Sequence, residues 1–93
     1  MLPIIWLPRA QGDLAGIIEH IAKDNPFAAK RMQQRLSDAV LPLSEHPYLF
    51  ARSSRVPSCR EIVVHPNYIL IYRVSAASID VVRIMHARQQ YPK

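Results

Sequence analysis

The apolar residues change their repeat part-way along the chain, and that change limits the fold more than any other feature. From Gln11 to Leu43 they recur as on one side of a helix: Leu14, Ile17, Ile18 and Ile21, then Ala29, Met32, Leu36, Val40 and Leu43. From Arg60 onward they fall instead into short β-rich runs, Arg60–Val64, Tyr68–Val74 and Ile79–Met85, set apart by turn-forming residues. Helices first and strands afterwards is the pattern of an α+β domain in two layers. At 93 residues the chain has room for one such domain, spanning 1–93, and 49% hydrophobic residues suffice for a core without metal or disulfide support.

The boundaries of the elements are marked by prolines. Ile4-Ile5-Trp6-Leu7, stopped by Pro3 and Pro8, is too short for a helix and reads as a buried strand. The first helix is expected from Gln11 to near Lys23. Asn25 followed by Pro26 is an N-cap with proline at the first helical position, so a second helix starts there and runs until Pro42 and Pro47 disturb it. The short link predicts an antiparallel helical hairpin. His65-Pro66-Asn67 and Ser75–Ser78 then supply turns between the later strands, giving the order β-α-α-β-β-β.

Strict alternation places Tyr68, Leu70, Tyr72 and Val74 on one face of the sheet and Ile69, Ile71 and Arg73 on the other. In the last strand it sets Val82 and Ile84 against Val81, Arg83 and Met85. One face covers the helices. The other is expected to be an apolar docking surface rimmed by arginine, unless the N-terminal strand and the tail fold over it.

Charge is unevenly divided. Residues 1–49 carry five basic and five acidic groups, whereas residues 50–93 set Arg52, Arg55, Arg60, Arg73, Arg83, Arg88 and Lys93 against only Glu61 and Asp80, the whole net charge of +5. Nine of the twelve basic residues are arginine, whose planar fork suits carboxylate or phosphate. An acidic partner for the C-terminal half is the expectation, with a plainly solvated basic surface as the alternative.

Few chemistries survive inspection. No apolar stretch is long enough to span a membrane and no secretory leader pattern is present, so a cytoplasmic protein is expected. Cys59 is the only cysteine and reads as a buried structural thiol. His65, His86 and Cys59 lack metal-ligand spacing, and two glycines leave no phosphate loop, so neither metal nor cofactor is expected. His86 at the end of the last strand, Arg88 after it and Tyr91 are the residue types that metal-free RNA cleavage needs: a base for the 2′-hydroxyl, a cation for the transition state and an acid for the leaving oxygen. A strand-end histidine beside an arginine is more often a structural pair or an interface residue.

Taken in order, several landmarks resemble the RelE/ParE superfamily of small bacterial type II toxins. They are Trp6 in the opening strand, Asp13-Leu14 with Ile17-Ile18 and Ile21-Ala22, Asp24-Asn25-Pro26 with Ala28-Ala29, Arg60-Glu61-Ile62-Val63, Tyr68-Ile69-Leu70-Ile71-Tyr72-Arg73-Val74, and Ile84-Met85-His86-Ala87-Arg88-Gln89. The resemblance implies a twisted antiparallel sheet carrying the N-terminal helical hairpin, and a cognate antitoxin that wraps the toxin in a hetero-oligomer. In the ribosome-dependent mRNA endonuclease branch a catalytic arginine follows the first tyrosine of the Tyr-x-Leu-x-Tyr strand; this chain has Ile69 there. His86-x-Arg88-Gln89 before Tyr91-Pro92 is more similar to the ParE branch, which poisons DNA gyrase. The resemblance therefore implies gyrase as target, with the ribosome as the alternative through His86, Arg88 and Tyr91, and DNA contacted only through the antitoxin complex. Arg60, Arg73, Arg83 and Arg88 are the expected cations for antitoxin or target.

Overall fold

The computed structural model describes residues 1–88 and orders them as β1 (Ile4–Trp6), α1 (Pro8–Ala22), α2 (Pro26–Ala39), a 3-10 turn (Leu41–Ser44), β2 (Arg60–His65), β3 (Tyr68–Val74) and β4 (Ile79–His86). This is the α+β arrangement expected, with a helical hairpin ahead of the strands. The sheet order is β1-β4-β3-β2. Its β2, β3 and β4 are antiparallel, while β1 joins the free edge of β4 in parallel, Ile4 opposite Ile79 and Trp6 opposite Val81. The sheet is therefore mixed rather than antiparallel throughout. Among the described residues no helix is long and apolar enough to cross a membrane.

Asn25 caps α2 as its sequence context demands: the side-chain oxygen accepts the Ala28 N–H at 3.1 Å, and Pro26 occupies the first position, where no N–H is missed. The start of α1 differs from the expectation. Pro8 does not separate strand from loop; it opens the helix itself, three residues ahead of Gln11, because a proline at N1 loses no hydrogen bond and already has helical φ. The strand thus passes into α1 with only Leu7 between them, and the Leu7 N–H closes on the Val81 carbonyl at 3.0 Å.

The main core lies between the hairpin and one face of the sheet. Leu36, Val40 and Leu43 meet Leu70, Tyr72, Ile79, Val81 and Ile84, all nearly inaccessible to solvent. In β4 the expected alternation fails, since Val81 and Ile84 share this face. The register between β3 and β4 slips between Ile71 and Tyr72, which oppose Arg83 and Val81, leaving Val82 as the extra residue of a bulge. Val82 consequently packs with Met85 on the far side.

That far side is not an open apolar face. Ile69, Ile71 and Met85 are buried with Cys59 in a second cluster, against which Val56 and Ala87 pack. Among the described residues its cover is the irregular segment 51–59 together with Ala87, not the N-terminal strand, and the tail from Gln89 onward lies outside the described residues. Ser53 ties the segment down by accepting the N–H groups of Arg55 and Val56, both at 3.0 Å, while donating to Glu61 at 2.7 Å. Arg55 pairs with the other Glu61 oxygen at 2.9 Å.

Candidate functional site

The four arginines singled out by the sequence do not form one cluster. Arg83 is held inside the fold: its Nε donates to Asp13 Oδ2 at 2.8 Å, and the same oxygen accepts the Ile84 N–H at 2.9 Å. Beyond Trp6 the edge of β4 has no strand to pair with, and the Asp13 carboxylate from α1 takes the N–H that a longer β1 would have used. Both side chains are largely shielded, at 14% and 18% exposure, so Arg83 locks helix to sheet instead of facing a partner.

Arg73 lies across from Asp80 and pairs with it at 3.2 Å, yet its side chain remains 47% exposed. Arg60 donates to the Phe50 carbonyl at 2.7 Å and lies 4.9 Å from the centre of the Tyr48 ring, a cation–π contact. It borders Tyr72, whose hydroxyl donates to the Pro47 carbonyl at 3.1 Å and whose burial pushes its pKa up. Arg88 is exposed at the opposite end of the sheet, its backbone N–H donating to His86 Nδ1 at 3.2 Å. The β3 residues bordering these two ends, Tyr72 and Tyr68, are four positions apart, about 13 Å of strand.

At the Arg88 end, His65, Tyr68 and His86 form a rung across β2, β3 and β4. The Tyr68 ring is 5.8 Å from His86, edge-on, and 5.9 Å from His65. Tyr68 and His86 also line a cleft against α1, to which His20 contributes. Tyr68 and His20 were not anticipated as site residues; His20 falls seven positions after Asp13, so helical spacing already puts it on the side of α1 that meets β4. Of the proposed RNA-cleaving set, His86 and Arg88 adjoin each other, and Tyr91 lies outside the described residues. His65 and His86 flank Tyr68 on one rung, but Cys59 lies just before the other end of β2, so the three do not converge. Burial raises the Cys59 pKa, in keeping with an inert thiol.

Ile69 is 3% exposed, inside the second cluster and beneath segment 51–59. An apolar, covered environment thus surrounds this position. An apolar opening lies elsewhere, along the hairpin: an open groove of about 620 Å³ lined by Trp6, Leu14, Ala15, Ile18 and Ala22, with Gln11, Glu19, Gln33 and Ser37 as its polar lining.

A family model described as the ParE toxin of type II toxin–antitoxin system, parDE, matches residues 4–91. That span takes in every strand and helix of the fold. The chain belongs to the ParE toxin family. It is similar to toxin RelE2 of Caulobacter vibrioides, with 37% identity over 87 residues, 94% of this chain and 97% of that protein. The Y4kP protein of Sinorhizobium fredii is 40% identical over 91 residues, covering 97% and 93% of the two chains. Among solved structures, a chain of the chromosomal ParDE TA system from P. aeruginosa superposes with a TM-score of 0.79 at 24% identity, covering 92% of this chain and 96% of that one, a likeness of fold. This ParE-family chain is thus a type II toxin, and membership of the family implies an antitoxin partner.

Proposed function

We propose that this ParE-family toxin acts by binding and inhibiting DNA gyrase, not by cutting RNA, and that an acidic, partly disordered antitoxin silences it by folding onto its surface. The observation that carries the reading is Ile69. A ribonuclease of this fold needs a cation where its transition state gathers charge, and Ile69 is instead buried among Ile71, Met85 and Cys59. The antitoxin would seat apolar residues in the α1–α2 groove and offer carboxylates to Arg73 and Arg88, the most accessible of the four sheet arginines. Purified toxin should block gyrase supercoiling or trap cleaved DNA, while mRNA in a translating extract stays intact. Untouched gyrase together with codon-dependent mRNA cuts would sink the proposal.

The exposed His86, edge-on to Tyr68 and adjoining Arg88, favours one alternative, a ribosome-dependent mRNA endonuclease using His86 and Arg88 with Tyr91. His86→Ala and Arg88→Ala decide that case, since full cleavage by both variants removes the mechanism.

A further inference from the structure

A polar pocket of about 410 Å³ opens where β2 begins, lined by Arg52, Ser53, Ser58, Cys59, Arg60 and Val74. Arg52 and Arg60 face each other across an antiparallel bridge. The backbone bonds flanking them, Ser53 N–H to the Cys59 carbonyl and Glu61 N–H to the Ala51 carbonyl, make this a non-hydrogen-bonded pair. In such a pair the Cα atoms are about 4.5 Å apart and both side chains leave the same face, so two like charges are brought together at a cost to the fold. Among the described residues no carboxylate lines the pocket: Glu61, the nearest in sequence, is engaged by Ser53 and Arg55. Arg60 spends one N–H on Phe50, and Arg52 has no side-chain partner among the described residues. Ser58, at φ 67°, is the one non-glycine residue in the left-handed region among those described, and it belongs to the lining.

We propose that this pocket binds a phosphoryl group between Arg52 and Arg60. Two facing cations call for a ligand carrying close to two negative charges, which a phosphate supplies and a single carboxylate does not; its several oxygens can accept from both guanidinium forks together. The site is independent of whether gyrase is the target. The test is a titration of the ¹⁵N-labelled toxin with inorganic phosphate, following the arginine Nε–H resonances at constant ionic strength. Those of Arg52 and Arg60 should move saturably while Arg9 and Arg31 stay put, and Arg52→Gln, an exposed change that leaves the fold alone, should weaken binding roughly tenfold or more. Displacement of phosphate by a mononucleotide identifies a free phosphoryl ligand, and displacement by a short oligonucleotide alone identifies a nucleic-acid backbone. Equal shifts at all arginines, equal shifts with acetate, or undiminished binding by Arg52→Gln would overturn the assignment.

Discussion

The two faces of the sheet are buried by different means. On one, α1 brings Ala10, Leu14 and Ile17 and α2 with the 3-10 turn after it brings Leu36, Val40 and Leu43 to the core that holds Leu70 and Tyr72. On the other, one irregular segment, 51–59, closes over Ile69, Ile71 and Met85, held by Ser53, Arg55 and Glu61. A helix satisfies its own backbone and presents a continuous apolar stripe. A loop must find partners for each polar group, and here the Ser53 hydroxyl takes two N–H groups while scattered backbone bonds among Ala51, Ser53, Val56, Cys59 and Glu61 take others. The helix face should therefore behave as the stable core and the loop face as a cover that opens locally.

The largest test of that contrast is Leu70→Ala, which should cost about 2–5 kcal/mol in chemical denaturation, because helices anchored on both sides cannot collapse into the cavity. Asp13→Asn comes next. It removes the charge facing Arg83 and weakens the acceptor for the Ile84 N–H, and the partly shielded setting suggests about 2 kcal/mol. Glu61→Gln should cost less, about 1 kcal/mol or under, since Arg55 is partly solvated. Its clearer effect should be on Cys59, whose reaction with a thiol reagent should quicken while global stability hardly moves. Equal losses for Leu70→Ala and Glu61→Gln would mean that the two faces unfold as one unit.

The smallest effect concerns alkaline pH. Burial raises the Cys59 thiol above its ordinary 9.0, so the folded chain keeps a proton that the unfolded chain releases. This contribution to stability is complete below pH 9 and declines as the pH rises through the folded pKa. Tyr72, raised above 10.0 by its own burial, extends the decline to higher pH. Cys59→Ala should flatten the part of the stability curve nearest pH 9, measured by urea midpoints across the range.

Features that depend on near neighbours were legible in the sequence. Asn25-Pro26 located the start of α2, and the run from Tyr68 to Val74 matched β3 from end to end. What escaped depends on distant partners. Alternation alone could not place the bulge at Val82, because slipping the register is favoured only once Val81 and Ile84 meet the hairpin. Arg83 looked like a free interface cation until Asp13, seventy positions earlier, was seen to hold it. Segment 51–59 has no period, so nothing in its residues announced that it would cover Ile69. The exposed Arg73, Arg88 and His86 are the parts of the site that local pattern placed near the surface, whereas the pairing of His86 with Tyr68 depends on the register between β3 and β4.

The parallel pairing of β1 with β4 has a consequence in time. Ile4 leaves the ribosome first but has no partner until Ile79 follows, and Asp13 likewise waits for Ile84. The hairpin can form early, whereas the edge of the sheet and the clamp that fixes α1 to it await the last strand. During synthesis the chain therefore passes most of its length as an unfinished toxin, and its complete surface is presented only once the last strand has emerged.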